Sequence, residues 1–185
     1  MKDARGIVGL SAALLLHCVC PVWSADRYVA AGNPGEADGA NWETAFPTIQ
    51  QALDVAGSND VIHVKGGVYA LTSELVCGAS FIRIEGGHEG VGTPGSNNPA
   101  LWPTWIEPAE GASTRLMRLA AVTNVTLRQL GFHGGQTDAD TRGGALLVTD
   151  AVDLRLDGCR IVSNLAFHVS AQLAHGGGLY ATNSS

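Results

Sequence analysis

Two stretches, NVTLRQLGFHGG at 124–135 and DLRLDGCRIVSN at 153–164, repeat each other at a constant offset. The repeat aligns four pairs of apolar positions: Val125 with Leu154, Leu127 with Leu156, Leu130 with Cys159, and Phe132 with Ile161. A second correspondence, at a slightly longer offset, joins GGAL at 143–146 to GGGL at 176–179. A period of about 30 residues without helical spacing predicts a solenoid, in which each strand stacks on its counterpart one turn later.

The segments on either side of this repeat also indicate β-structure. They are short apolar runs bounded by Gly, Asn, Asp or Ser, for example residues 60–64, 81–84 and 116–119. Gly66-Gly67 and Gly86-Gly87 are predicted to end the first two of these strands. Inward residues of successive turns should form apolar columns, and the sequence therefore predicts an all-β fold. We expect five side chains in particular to be buried: Ile62, Ile82, Val125, Leu127 and Leu156.

One helix is predicted before the strands, at about residues 44–57. Its apolar face follows intervals of three and four, and Thr44 or Thr48 is available as the N-cap, with Pro47 in the first turn. A helix of this length is unstable alone in water, so its apolar face must be covered. We expect Ile49 and Leu53 to contact the first turn of the solenoid, with Gln50 among the solvent-facing residues.

A loop is predicted at about residues 85–103, where EGGHEGVGTPGSNNPALWP interrupts the strand pattern with Gly and Pro. Excursions of this kind are where solenoids usually carry binding surfaces, although a purely structural loop explains most of its residues.

The N-terminal residues 1–25 are predicted to be a signal peptide. Lys2 and Arg5 precede the apolar run GIVGLSAALLL, and small residues near Ser24 suit cleavage. A short membrane anchor is the alternative, although the run is short for a permanent span. No later stretch is apolar enough to span a membrane, so we expect a mature chain, residues 26–185, that is secreted or displayed at the cell surface.

Charge and cysteine content exclude some classes of function. Without residues 1–25 the chain keeps nine basic and sixteen acidic side chains, which disfavours binding to nucleic acid or acidic membranes. Cys77 and Cys159 fall in different turns of the predicted solenoid, roughly 10–14 Å apart, whereas a disulfide requires Cα atoms within about 7 Å. We therefore expect two unpaired, mostly buried thiols.

Three segments resemble a known class of proteins. They are residues 42–69, with WETAF, IQQAL and DVIHVKGGVY; residues 81–87, FIRIEGG; and the repeat from residue 124 to residue 180. They resemble secreted and surface right-handed parallel β-helix proteins of the pectate-lyase-like superfamily. GGAL, IVSN and GGGLY are similar to the GGAI and FxxN elements of polymorphic outer membrane proteins and autotransporter passengers, with Ile161 in place of the usual Phe.

The resemblance covers residues 27–185 and implies a right-handed parallel β-helix with a short N-terminal capping helix. Because the sequence stops as a new turn begins, we expect a C-terminally truncated domain, either a fragment of a longer protein or part of an assembly.

The resemblance leaves function open, because this fold hosts lyases, hydrolases, adhesins and stalks alike. The chain contains no Asn-Thr-Asp element, no Asp-Asp pair, no Gly-His-Gly and no Arg-x-Pro-x-x-Arg. We expect a structural or recognition module, passenger-like or adhesin-like, that takes polysaccharide or other cell-surface ligands and needs no cofactor. The alternatives are the N-terminal part of a lyase acting on uronic-acid polysaccharides, for which alone Ca²⁺ would be a cofactor, and an inert fragment.

Candidate ligand-binding residues follow from the strand pattern. Four arginines occupy outward strand positions between apolar residues: Arg83, Arg118, Arg128 and Arg155. Stacked on successive turns they would form a basic stripe suited to uronic acids, while ordinary solvent-facing arginines are the simpler alternative. Trp102 is a candidate for stacking on sugar rings, as is Trp105, although one of the two should be buried.

Other polar residues have both a functional and a structural interpretation. Asp138 and Asp140 are candidate Ca²⁺ ligands or members of a solvated acidic loop. His133, His168 and His175 are acid–base or metal candidates if they converge, and surface residues if they do not. Asn124 and Asp153 occupy equivalent repeat positions and are expected to stabilise turns. The sequence assigns no catalytic residue and no metal ligand.

Overall fold

The computed structural model describes residues 24–34, 37–137, 142–167 and 175–185. The predicted signal peptide, Asp138, Asp140 and His168 therefore lie outside the described residues, apart from Ser24 and Ala25. The described part contains one helix, α1 (Ile49–Val55), and mostly short parallel strands. The strands are β1 (Asp26–Val29), β2 (Val61–Lys65), β3 (Gly67–Leu71), β4 (Leu75–Cys77), β5 (Ile82–His88), β6 (Thr104–Pro108), β7 (Met117–Ala120), β8 (Thr123–Arg128), β9 (Leu130–His133), β10 (Gln136–Thr137), β11 (Leu146–Thr149), β12 (Val152–Asp157), β13 (Arg160–Val162), β14 (Leu165–Ala166) and β15 (Leu179–Thr182).

The strands form three larger parallel sheets, which the described chain visits in the same order four times. Sheet I has the order β1-β2-β5-β8-β12, sheet II the order β13-β9-β6-β3, and sheet III the order β15-β11-β7-β4. A further pair joins β10 to β14. Each of β2, β5, β8 and β12 is thus followed along the chain by a strand of sheet II and then by a strand of sheet III. The mostly β, parallel architecture agrees with the prediction.

The register between neighbouring strands is the one that the repeat predicts. Val125 pairs with Leu154, Leu127 with Leu156, Phe132 with Ile161, and Leu146 with Leu179. In-register stacking builds apolar columns whose residues, apart from exposed Leu179, belong to one core cluster or pack against it. One column from each sheet is Ile62-Ile84-Leu127-Leu156, Tyr69-Ile106-Phe132-Ile161 and Leu75-Met117-Leu146-Leu179.

The expected burial is confirmed for four of the five core positions and is wrong for Leu156. Ile62, Ile82, Val125 and Leu127 are at most 3% exposed. Leu156 is only half-buried, because β12 is the last strand of sheet I in the described part of the chain and no further described strand covers it.

The turns between strands repeat their backbone conformation as well as their position. We call one passage of the chain through sheets I, II and III a level. Asn124 and Asp153 occupy the same position in successive levels, and Phe81 occupies it one level earlier. All three have φ between 52° and 58°. Ala121 has φ 53°, and the equivalent residues one and two levels later are Asp150 and Asn183. Asn and Asp tolerate this left-handed conformation better than other non-glycine residues, which explains their recurrence.

The Asn164 side chain ties two successive levels together. Its amide donates to the Phe132 carbonyl oxygen at 3.0 Å and accepts from the Gly135 N–H at 2.7 Å. Asn164 is the last residue of the IVSN element. The Asn of that element thus satisfies two backbone groups of the preceding level.

The helix covers the N-terminal end of the core but is shorter than expected. It begins after Thr48, whose hydroxyl accepts from the Gln51 N–H, and Pro47 therefore lies outside it. Ile49 and Leu53 are buried in the core cluster, as predicted, and the helix contacts β1 and β4. Gln50 does not simply face solvent, because its amide pairs with both the N–H and the carbonyl of Val76 in edge strand β4.

The second predicted strand and the loop after it have different bounds. β5 begins at Ile82, continues through Gly86-Gly87 and ends at His88, so the excursion begins only after His88. Cys77 is buried and Cys159 is half-buried, and both are unpaired.

Candidate functional site

Polar side chains form a continuous row across the outward face of sheet I. The strand register places Tyr28, His63, Glu85, Arg128 and Asp157 side by side on five neighbouring strands. Because parallel strands lie about 4.8 Å apart, the row extends for roughly 19 Å. Both neighbours of His63 along β2, Ile62 and Val64, belong to the core cluster, which places His63 on the opposite face.

Ion pairs link the second half of this row. Arg128 Nη1 lies 2.7 Å from Glu85 Oε1, and Arg128 Nε lies 3.3 Å from Asp157. Arg83 Nε lies 3.6 Å from the other Glu85 oxygen. The Glu85 side chain is only 8% exposed, so its negative charge is held by two guanidinium groups rather than by bulk water.

His63 lies between a carboxylate and a second histidine. Its Nε2 is 2.9 Å from Asp26 Oδ1, and its Nδ1 is 3.2 Å from His88 Nε2. A carboxylate accepts hydrogen bonds only, so Asp26 favours the His63 tautomer that carries its proton on Nε2. The Nδ1 lone pair of neutral His63 then faces His88.

His88 reaches this face because of an irregularity in β5. His63 pairs with Glu85, but Lys65 pairs with His88, so β5 contains one residue more than β2 over this stretch. In a strand with regular alternation, His88 would lie on the opposite face from Glu85, because it is three positions away. The register shift instead places it beside Lys65, on the same face as His63 and Glu85. Gly86 is needed here because a Cβ would lie 2.6 Å from the Gln129 carbonyl oxygen.

The environment of His88 keeps its ring neutral at ordinary pH. The residue is 2% exposed, and its Nδ1 has no hydrogen-bond partner among the described residues. Burial first, and then the nearby His63 and Arg128, lower the pKa of His88 to about 4. One atom of each of His63, Glu85 and His88 lies within 4.8 Å of the other two, which is a spacing suited to a metal ion.

Aromatic rings cover the two histidines. Trp42 packs edge-on against Tyr28, with ring centroids 4.8 Å apart, and lies 5.7 Å from the His88 ring. Its indole N–H donates to the Pro94 carbonyl oxygen at 2.9 Å, which joins the N-terminal segment to the loop after β5. An open cavity of about 450 Å³ lies between these two segments and is lined by Asn41, Trp42, Glu43, Gly90, Val91, Gly92 and Thr93.

The four predicted arginines do not form one stripe. Arg83 and Arg155 share a column of sheet I with Thr126 between them, while Arg128 lies in the neighbouring row. Arg118 is in β7 of sheet III, where its Nε lies 2.9 Å from Glu74. The expectation of a stripe is therefore wrong: the arginines divide between two sheets, and three of the four pair with carboxylates.

Neither candidate tryptophan is fully buried. Trp102 is half-buried and packs closely against Gly66. A Cβ added to Gly66 would lie 2.6 Å from the Cβ of Trp102. Trp105 is also half-buried and packs over Gly131, with the His133 ring 6.3 Å away. Trp102 is not one of the described residues that line the cavity beside Trp42.

The histidines considered in the sequence are separated in the structure. His133 is half-exposed and lies 3.3 Å from Glu107 in sheet II, whereas His175 lies beside Tyr180 in sheet III. The residues that the structure does bring together were not identified from the sequence: Asp26, His63, Glu85 and His88. Aligning residues 61–63 with residues 83–85 would have placed His63 beside Glu85, but nothing in the strand alternation indicates His88.

No protein-family model, curated protein or solved structure matches this chain. Within the described ranges, no helix is long and apolar enough to cross a membrane.

Proposed function

We propose that the chain is a right-handed parallel β-helix module, exported from the cell, that serves as a structural and recognition element at the cell surface. The observation that carries this proposal is the fourfold passage through three parallel sheets in the same order, with repeat residues in register. Parallel strands joined in this way need crossover connections, and such connections are right-handed in nearly all proteins. The motifs at residues 42–69, 81–87 and 124–180, which resemble those of pectate-lyase-like β-helices, support the same fold.

A recognition role is supported by the cavity beside Trp42. It is lined by Trp42 together with Asn41, Glu43 and residues 90–93. An aromatic side chain beside polar residues is a combination that suits a sugar ring. The cavity also lies at the loop after β5, a type of excursion where solenoids usually carry binding surfaces.

Charge favours a neutral polysaccharide over a uronic-acid polymer. Glu43 borders the cavity, and the chain as a whole is acidic. The arginines Arg83, Arg118 and Arg128 already pair with carboxylates, which reduces the positive potential available to an anionic ligand. These observations also weigh against the lyase alternative, which needs positive charge beside the substrate carboxylate.

The test combines binding and turnover. Purified protein is incubated with neutral glucans and with pectate, alginate and chondroitin, with and without Ca²⁺, and binding is followed by affinity electrophoresis. We expect retention by neutral glycans, loss of retention in Trp42→Ala, and wild-type behaviour in the matched control Trp102→Ala. We expect no ultraviolet absorbance from unsaturated uronic-acid product. Steadily rising absorbance would instead establish the lyase alternative, and failure to bind any polymer would remove the recognition role.

A further inference from the structure

We propose that His63, His88 and Glu85 bind a single divalent transition-metal ion, with Zn²⁺ as the best-matched ion. The proposal does not rest on the polysaccharide-binding role, although Trp42 borders both the cavity and the His88 ring. Two imidazoles and one carboxylate form a donor set that proteins use for Zn²⁺, and they leave a fourth position for water or another donor.

The separation of the two imidazole nitrogens fits a shared ion. Two nitrogens at the usual Zn–N distance in a tetrahedral site lie about 3.3 Å apart. His63 Nδ1 and His88 Nε2 lie 3.2 Å apart. The Glu85 carboxylate completes a set in which no pair of ligand atoms is separated by more than 4.8 Å.

Asp26 orients the first ligand. It accepts a hydrogen bond from His63 Nε2, which leaves the Nδ1 lone pair directed at the ion position. A carboxylate that holds the outer nitrogen of a metal-bound histidine is a common arrangement, because it fixes the tautomer and makes the ligand more basic. Asp26 is thus a positioning residue.

The other two ligands also have lone pairs that an ion can use. His88 Nε2 lies 3.2 Å from His63 Nδ1, and a neutral imidazole carries a lone pair on one of its ring nitrogens. Glu85 accepts from Arg128 at 2.7 Å through Oε1, and a carboxylate has further lone pairs with which to bind a metal. The charges of Arg83 and Arg128 oppose the ion, while those of Asp26 and Asp157 offset them.

The position of the site indicates a structural role for the ion. His63, Glu85 and His88 are each at most 6% exposed, and Tyr28 and Trp42 pack over the two rings. The ligands belong to β2 and β5, and Asp26 belongs to β1, so a bound ion would link three neighbouring strands at the N-terminal end of sheet I. Binding only to the folded chain should therefore raise its thermal stability.

The experiment measures Zn²⁺ binding to purified protein that has been stripped with a chelator and dialysed. Isothermal titration gives affinity and stoichiometry, Co²⁺ substitution gives the visible d–d spectrum of a low-symmetry site, and circular dichroism checks folding. We expect one ion per chain and a higher thermal midpoint with Zn²⁺. His133→Gln is the matched control, since it removes a histidine that also faces a carboxylate but lies in sheet II.

Two variants test the assigned ligands. His88→Gln should abolish the tight event, and Asp26→Asn should weaken it by roughly 10–100-fold while leaving one ion per chain. The side chain of Asp26 is 53% exposed, so this variant should fold even if His88→Gln does not. No stoichiometric binding by the folded wild-type protein overturns the proposal, as does unchanged affinity in folded His88→Gln or in Asp26→Asn.

Discussion

Replacing Gly144 with alanine tests whether successive levels stack as closely as the strand register implies. A Cβ on Gly144 would lie 2.5 Å from the Leu165 carbonyl oxygen and closer still to that of Gly177. Both obstacles are backbone atoms of segments that come later in the chain, and a Cβ normally needs more than 3.0 Å. Relieving the contact therefore requires the two levels to move apart rather than one side chain to rotate.

Gly78 supplies the matched control. A Cβ there meets nothing within 4 Å, and Gly78 is not among the residues with positive φ. Gly78→Ala should be neutral or should stabilise by about 0.4–1 kcal/mol, because alanine restricts the unfolded chain. Gly144→Ala should destabilise by about 1–3 kcal/mol, the usual cost of forcing extra atoms into a packed site.

The measurement is urea denaturation of the wild type and both variants, followed by circular dichroism and intrinsic fluorescence. The two variants should differ in free energy of unfolding by about 1–4 kcal/mol, with similar slopes against urea. Equal stabilities would refute the close stacking of residues 143–146 on residues 176–179, and with it the basis for the β-helix proposal.

Three further outcomes are expected. Ala121→Asn should stabilise the protein by about 0.5–1 kcal/mol, because Ala121 is held at φ 53° and the equivalent residues of later levels are Asp and Asn. Thermal melting measures this change. The control Ala40→Asn, at an exposed alanine without positive φ, should not raise the stability. Asn164→Ala should cost about 1–3 kcal/mol in urea denaturation, since it removes two hydrogen bonds between levels, and a loss below about 0.5 kcal/mol would contradict that role. Burial raises the pKa of the Cys77 thiol from 9.0 to about 11, so its thiolate population at pH 8 is roughly 100-fold below that of an ordinary thiol. Alkylation followed by peptide mapping should therefore label half-buried Cys159 first. Faster labelling of Cys77 would contradict its burial.

The repeat was readable from the sequence because it rests on contacts between equivalent residues. Each inward apolar residue packs on its counterpart one level away, so the constant offset of the repeat translates directly into the pairing of Leu127 with Leu156. The helix was also readable, since its short amphipathic face had to be buried. Its bounds were not, because Thr44 and Thr48 were both available as the N-cap, and the hydroxyl of Thr48 is the one that caps the helix.

The candidate metal site was not readable, for two physical reasons. The extra residue in β5 moves His88 onto the outward face, and strand alternation alone places it on the other side. Asp26, His63 and Glu85 come from three strands, and β1 pairs with β2 although the whole segment 30–60, with the helix, separates them in the chain. No local pattern records those neighbours.

For the arginines, the strand pattern predicted the face on which each side chain lies but not its partners. The sequence by itself determined that they occupy outward strand positions, that the chain is mostly parallel β-structure, and that equivalent repeat residues pair. Only the tertiary structure decided which charges meet. Arg118 lies in another sheet beside Glu74, and Arg128 lies between Glu85 and Asp157. The periodicity of a strand specifies the face on which a side chain lies, whereas its partners depend on the register and on which sheet each segment joins.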